Sequence, residues 1–326
     1  MTLSLSLRFE PLLKRALWGG TRLQTDLGKV TGGDSDVAES WEVCDLPGSV
    51  SRVSEGPLAG RTLRQLMEES SEDLLGKHRD HHRFPLLVKF LDAHHQLSVQ
   101  VHPNKPVLHS DGTLRPGKAE FWVVIDALPE SRMYIGLRPG VTEQHLRQAV
   151  VTGTLEECLH VYHPKIGDCI YLEPGTVHAL GGGLLVAEIQ QPSDVTYRFY
   201  DWDRTDSQGN SRELHVEQSF AATNFDIGPV QPVVPRPLPG QPGSEVLVES
   251  PHFVIHRRHG RGNWSLPKDD KMHVLIVLAG TVRQSNCLLV KGQTAVVPAA
   301  RTESVWDLNE DAIVLDAFLP DESPYC

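Results

Sequence analysis

The sequence predicts a mainly β protein: a β-sandwich or barrel with small helical insertions, followed by a second β unit. Three observations carry this. Short segments rich in Val, Ile, Tyr and Phe and bounded by turn residues recur along the chain, as half-buried strands do. Only two stretches carry apolar residues at helical spacing. A run crowded with Pro and Gly, GPVQPVVPRPLPGQPGS (228–244), separates one set of strand signals from another, and such a run is extended and without a core of its own.

The N-terminus, MTLSLSLRFEPLLKRALWGG, alternates apolar residues without a basic start or a small-residue cleavage site, and so reads as a first strand rather than a signal peptide. Strand signals follow in PLLVKFLDA (85–93), QLSVQVHP (96–103), AEFWVVIDA (119–127), RMYIGL (132–137), DCIYLEP (168–174), GLLVAEIQQP (183–192) and TYRFYDWD (196–203). The helical stretches are 61–82, with Leu63, Leu66, Met67, Leu74 and Leu75, and 142–160, with Leu146, Ala149, Val150, Leu155 and Leu159 and Thr142 available as a cap. After 228–244, FVIHRR, HVLIVLAG, LLVKGQTAVVP and AIVLDAF resume the strand pattern. The expected division is 1–227, a linker at 228–244, and 245–326. An internal echo supports duplication: GDCIYLEPGTVHAL (167–180) resembles GQTAVVPAARTESV (292–305). The echo sets His178 against Thr302, so the second unit reads as a copy with the polar site absent.

Composition excludes several classes. A net charge of −11, with no basic stripe, argues against nucleic acid and against anionic membranes. No run approaches the roughly 18 apolar residues of a bilayer span. The five cysteines, Cys44, Cys158, Cys169, Cys287 and Cys326, are scattered and never spaced as CxxC, which argues against a disulfide framework or a cysteine zinc site. The cytoplasm is the expected compartment.

The chemistry concentrates in three segments. In LSVQVHPNK, Ser98, Gln100 and His102 share one face of a strand, opposite Val99 and Val101. In GKAEFWVV, Lys118 and Glu120 point the same way before the strand turns apolar. In GDCIYLEPGTVHAL, a strand ends in Pro-Gly and His178 follows the turn. Two histidines and a glutamate from separate strands of a small barrel form an open metal site, and Gln100 is a candidate neutral fourth ligand. Arg198 and Arg204 are charged residues in an aromatic strand; salt bridging to Asp201 or Asp203 is the alternative reading, stronger for Arg204.

These segments resemble the type I mannose-6-phosphate isomerase family in its short bacterial form. The matching stretches are RALWGGTRL (15–23), ESWEV (39–43), FPLLVKFLDA (84–93), LSVQVHPNK (97–105), GKAEFW (117–122), EPGTVHAL (173–180) and QQPSDVTYRFYDWDR (190–204), within about residues 8–225. The resemblance implies a cupin (jelly-roll β-barrel) catalytic domain with a degenerate cupin-like β domain at the C-terminus. It places the family's metal ligands on His102, Glu120, His178 and Gln100, its essential arginine on Arg198, and its active-site lysines on Lys89 and Lys118. It implies interconversion of mannose 6-phosphate and fructose 6-phosphate through an enediol-type intermediate. Two departures stand out. Glu120 follows His102 by 18 positions across a loop rich in Pro and Gly, and the large helical insertion of longer relatives is reduced to 142–160.

One divalent ion per chain is expected: zinc, with manganese, cobalt or iron as substitutes. The phosphate would meet Arg198, Arg204, Lys89 and Ser98. Proton transfer is left among Lys118, Glu120, a metal-bound water and a histidine. A metal oxygenase uses the same two-histidine, one-carboxylate set, and a non-catalytic sugar-phosphate-binding protein would share the fold. The basic cluster and the complete ligand set favour the isomerase.

Overall fold

Every residue of the strands Leu87–Ala93 and Leu184–Gln190 is buried, because both lie inside a six-stranded antiparallel sheet covered on its two faces. In order across the sheet, the strands are Leu12–Gly20, Val37–Val43, Leu87–Ala93, Leu184–Gln190, Glu120–Ala127 and Cys169–Leu172. A five-stranded sheet packs on one face, ordered Leu159–Tyr162, Met133–Leu137, His178–Leu180, Val99–Val101, Tyr197–Tyr200. Leu91, Trp122, Val124, Met133, Ile170, Leu180 and Val186 fill the space between these two sheets. The computed structural model describes residues 3–322 apart from 109–111, 113, 207, 286 and 310; Cys326 and part of the 103–117 loop lie outside them. Cys44, Cys158, Cys169 and Cys287 are free thiols.

Helices form in both expected stretches, 61–82 and 142–160, but each is shorter than expected. Leu63–Leu75 starts at a capping box in which the Thr62 hydroxyl accepts from the Gln65 amide and the Gln65 side chain accepts from the Thr62 amide. It buries Leu63, Leu66, Met67, Leu74 and Leu75 and breaks helical geometry at Ser70. Glu143–Thr152 is capped by Thr142 and ends at the left-handed Gly153. With the short helix Val216–Ala222, which the helical spacing did not reveal, it covers the outer face of the five-stranded sheet, where Val99, Val101, Ala179 and Phe199 lie.

Residues 236–318 repeat the strand plan. Their six-stranded sheet runs Arg236–Pro237, Ser244–Glu249, Val254–His259, Ile313–Phe318, His273–Ala279, Thr294–Val297. In both large sheets the strands, numbered by chain order, stand first, second, third, sixth, fourth, fifth. The smaller partner sheet runs Gly262–Ser265, Val305–Leu308, Thr281–Gln284, Cys287–Val290. This matches four strands of the five-stranded sheet; among the described residues the Tyr197–Tyr200 strand has no counterpart.

The outer faces of the two large sheets pack together. Val88, Phe90, Phe121, Val123 and Ile189 meet Ile255, Val274, Ile276, Val296 and Leu315 in one core. Each such fully buried side chain stabilises by about 1.5–3 kcal/mol. Leu7 pairs with Val296, so the first residues join the second large sheet. The turn at Gly292 (φ +83°) seats on Leu27, where a Cβ would come within 2.6 Å of the Leu27 carbonyl oxygen; only glycine fits. The Pro-rich stretch is tied back by Val230 and Val233 amides donating to the Ile135 and Cys169 carbonyls.

The pairing registers make residues of the two halves equivalent. Glu120 opens its strand opposite Leu172, and His273 opens its strand opposite Val297. Two residues along, Trp122 pairs with Glu188 and Leu275 with Asp316. Glu188 then pairs with Lys89, and Asp316 with His256. In the smaller sheets, Met133 pairs with Leu180 as Val282 pairs with Leu308, which sets His178 against Trp306. Gln100 lies across from His178 and Trp264 across from Trp306, so His102 corresponds to Leu266. The sequence echo, which aligned His178 with Thr302, is corrected by this register. The expectation of an absent polar site needs the same correction: the positions of His178, Gln100 and His102 are taken by Trp306, Trp264 and Leu266, but His256, Asp316 and His273 keep a polar row.

Candidate metal centre

The three segments singled out in the sequence converge across the gap between the first two sheets. Glu120 comes from the large sheet; His178 comes from the small one, and His102 directly follows its Val99–Val101 strand. Donor atoms of the three lie within 4.8 Å of one another, and all three residues are buried. His102 Nε2 is 3.2 Å from Glu120 Oε1, and His178 Nε2 is 3.5 Å from Glu120 Oε2.

Each imidazole is oriented from behind. His102 Nδ1 lies 2.8 Å from the Val195 carbonyl oxygen and His178 Nδ1 lies 2.8 Å from the Thr176 carbonyl oxygen. A carbonyl accepts only, so Nδ1 carries the proton in both rings and Nε2 turns its lone pair toward Glu120. Burial keeps both rings neutral: it pushes His102 down to about 3, with Lys118 adding repulsion, and lowers His178 as well. Burial alone would raise the Glu120 carboxyl, but the Lys118 ammonium beside it holds it well below its usual range. Glu120 Oε2 and His178 Nε2 are buried with no hydrogen-bond partner. Two acceptor atoms left facing each other in this way are costly unless a cation sits between them. The donor set therefore fits a divalent ion.

Gln100 is paired directly with His178 and projects from the same sheet face. Ser98 is buried on the same side of that chain segment. Lys118 is buried and contacts Glu120; its Nζ lies 3.3 Å from His102 Nε2. Lys89 is two strands away from Glu120 across the large sheet, 3.2 Å from Glu188 Oε1 and 3.3 Å from Glu39 Oε2. Burial alone would lower its pKa, but Glu188 and Glu39 outweigh that and hold it above the usual lysine value.

Arg198 pairs with Gln100 on the other side from His178. Its Nε is buried without a hydrogen-bond partner, and burial, with the nearby Arg212 guanidinium second, lowers its pKa. Arg204 departs from the expected phosphate role. Its Nε donates to the Asp201 carbonyl, one Nη to the Gln96 carbonyl, and the other forms an ion pair with the Asp201 carboxylate. Gln96 precedes the end of the 99–101 strand remote from His102, so Arg204 braces that end, and the salt-bridge alternative describes it.

Glu188, Glu39 and Trp122 were not singled out from the sequence. Glu188 is 3.9 Å from Lys118 and accepts from the Trp122 indole at 3.2 Å. Its carboxyl is raised chiefly by burial, against the pull of Lys89. The signal was one carboxylate inside the apolar run GLLVAEIQQP, which few buried strands tolerate without a partner.

Residues 7–114 match the catalytic domain of type I phosphomannose isomerase. The chain is 36% identical over 310 residues to mannose-6-phosphate isomerase of Streptococcus mutans, covering 93% of this chain and 95% of that one. It is 35% identical over 277 residues to mannose-6-phosphate isomerase ManA of Bacillus subtilis, covering 84% and 86%. The solved mannose 6-phosphate isomerase of Bacillus subtilis superposes with a TM-score of 0.85 at 28% identity, over 96% of this chain and 99% of that one. The apo form of the Salmonella typhimurium enzyme, 15% identical, shares the fold with a TM-score of 0.73, over 97% and 100%.

Proposed function

Because this chain belongs to the type I phosphomannose isomerase family, we propose that it interconverts mannose 6-phosphate and fructose 6-phosphate at the His102–Glu120–His178 centre. The observation that carries the reading is the pair of buried, unpartnered acceptor atoms, Glu120 Oε2 and His178 Nε2, set 3.5 Å apart beside Lys118.

His102, Glu120 and His178 hold the ion, with Gln100 as the neutral fourth ligand; zinc suits these borderline donors. When bound, the ion supplies Lewis-acid stabilisation of negative charge on the sugar oxygens, on the order of several kcal/mol. Aldose–ketose exchange also requires a proton to move between C1 and C2. Lys118 is the group for this: its Nζ is buried and lies within reach of both Glu120 and His102. Glu188 lies between Lys118 and Lys89 and limits how far either ammonium can swing. Arg198, with its buried and unpartnered Nε, grips the phosphate in a fork, while Ser98 and Lys89 line the sugar wall. Holding the phosphate away from the ion fixes C1 and C2 relative to Lys118.

The test is a coupled assay with mannose 6-phosphate on protein as purified, after chelation, and after return of each divalent metal with metal analysis. Chelation should abolish turnover and lower the unfolding midpoint, and one equivalent of ion should restore both. Full activity in metal-free protein, or an unchanged midpoint, refutes the reading.

A further inference from the structure

The second half carries a small cavity at the register-equivalent of the catalytic mouth, with polar groups set among apolar walls. It measures about 110 Å³ and is lined by Ser244, His256, Arg258, Trp264, Asp316 and Phe318, among others. By pairing register, His256 and Asp316 stand where Lys89 and Glu188 stand in the first half, and Trp264 where Gln100 stands. Among the described residues no ligand set for a metal remains there, since the facing sheet contributes Trp264, Leu266 and Trp306. What remains is a set of donors. Ser244 is 5% exposed, and its Oγ has no hydrogen-bond partner. Arg258, paired directly with Ser244 across the strands, has a buried Nε without a hydrogen-bond partner and makes no ion pair among the described residues. Gly243 (φ +75°) leaves room for its guanidinium: a Cβ there would come within 2.6 Å of Arg258 Nη1.

The one carboxylate in the lining is already matched. Asp316 Oδ1 lies 2.7 Å from His273 Nδ1. Burial alone would lower the His273 pKa, but Asp316 and Asp269 push it up to about 9, so the imidazolium cancels the Asp316 charge at neutral pH. A guanidinium without a carboxylate, an orphan hydroxyl and a neutralised acid leave the cavity with net positive character and unsatisfied donors, which is the chemistry of an oxyanion site. Its volume is below the roughly 150 Å³ of a cavity that accepts benzene and far below the roughly 300 Å³ at which pockets begin to enclose drug-sized ligands. A tetrahedral oxyanion fits; a hexose phosphate does not.

We propose that Ser244, Arg258 and His256 form a second, non-catalytic binding site for a phosphate-sized oxyanion in the C-terminal half. The site is independent of the isomerase reading, because none of its residues touches the metal centre.

The experiment is equilibrium dialysis of the full chain against radiolabelled inorganic phosphate. In an Arg198→Ala background, which disables the catalytic anion grip, one phosphate should still bind per chain. Adding Arg258→Met should weaken that binding at least about tenfold, as loss of a charge-assisted contact does, and Ser244→Ala should weaken it less. Introduced alone, Arg258→Met and Ser244→Ala should leave isomerase turnover and the unfolding midpoint unchanged; if Arg258→Met does not fold, Ser244→Ala decides. Mannose 6-phosphate should not displace the bound phosphate. Absence of phosphate binding by the Arg198→Ala chain, or binding insensitive to both second substitutions, overturns the proposal. Displacement by mannose 6-phosphate would assign the site to phosphoesters and overturn the free-anion assignment.

Discussion

Raising the pH from 7 to 9.5 should cost this fold roughly 2 kcal/mol through His273 alone. The ring is fully buried, 2.7 Å from Asp316 and 3.3 Å from Asp269. Burial opposes its charge, but the two carboxylates prevail and raise its pKa from 6.5 to about 9. A folded-state pKa above the unfolded one means that the folded chain holds the proton more tightly. The stabilisation is therefore complete below pH 6.5 and disappears as the pH rises through 9. A tenfold tighter hold on the proton is about 1.4 kcal/mol, so the full contribution is roughly 3 kcal/mol. Most of it survives at pH 7 and almost none at pH 9.5. Urea unfolding of the wild type and of Asp316→Asn at pH 6, 7, 8.5 and 9.5 isolates the effect from other groups that titrate in alkali. The wild type should lose stability steadily across this range. The variant, lacking the carboxylate that does most to hold the proton, should be weaker at pH 6 and converge on the wild type at pH 9.5. Parallel curves, with a constant gap at all four pH values, would show that His273 does not titrate with Asp316 and would refute the reasoning.

Two other substitutions probe the catalytic half. Lys118→Met should lower kcat by a factor on the order of 10² or more, as loss of a proton-transfer group does, while metal content stays at one per chain; turnover within twofold of wild type would reduce Lys118 to a binding residue. Glu188→Gln should destabilise the fold by about 3 kcal/mol, the scale of breaking a buried ion pair, because Lys89 would keep only Glu39 as its counter-charge. An unfolding midpoint unchanged from wild type would show that Glu39 and the Trp41 ring, 5.0 Å from Lys89 Nζ, suffice.

The candidate metal centre was legible because its residues are anomalies where they stand. His102 and Gln100 interrupt a valine strand, Glu120 opens an otherwise apolar one, and His178 follows a Pro-Gly turn; polar atoms in such positions need one another. The residues that hold the ligands in place were less visible. The Val195 and Thr176 carbonyls that fix the two imidazoles are backbone groups, which no residue pattern announces. Arg204 shows the opposite limit. Its place in an aromatic strand reads like that of Arg198, and only the fold reveals that each of its nitrogens is already engaged.

The second half was hardest to read because what persists there is a pairing register, not a set of letters. The short echo at 292–305 placed Thr302 opposite His178, but the loop after Pro298 is longer than the turn after Pro174, and strand pairing carries the correspondence on to Trp306. The exchange has a physical logic. His178 and Gln100 put polar groups between the sheets, with His178 Nε2 left unpartnered, whereas Trp306 and Trp264 put large rings at the same positions. The large sheet opposite them keeps the polar row of His256, Asp316 and His273. Among the described residues, that row faces no imidazole from the smaller sheet and no counterpart of the strand bearing Arg198. The repeated strand plan thus separates two features that the first half combines: the sheet register is enough to preserve a polar row, but the His102–Glu120–His178 cluster also draws on the opposing sheet, and Arg198 stands on one further strand.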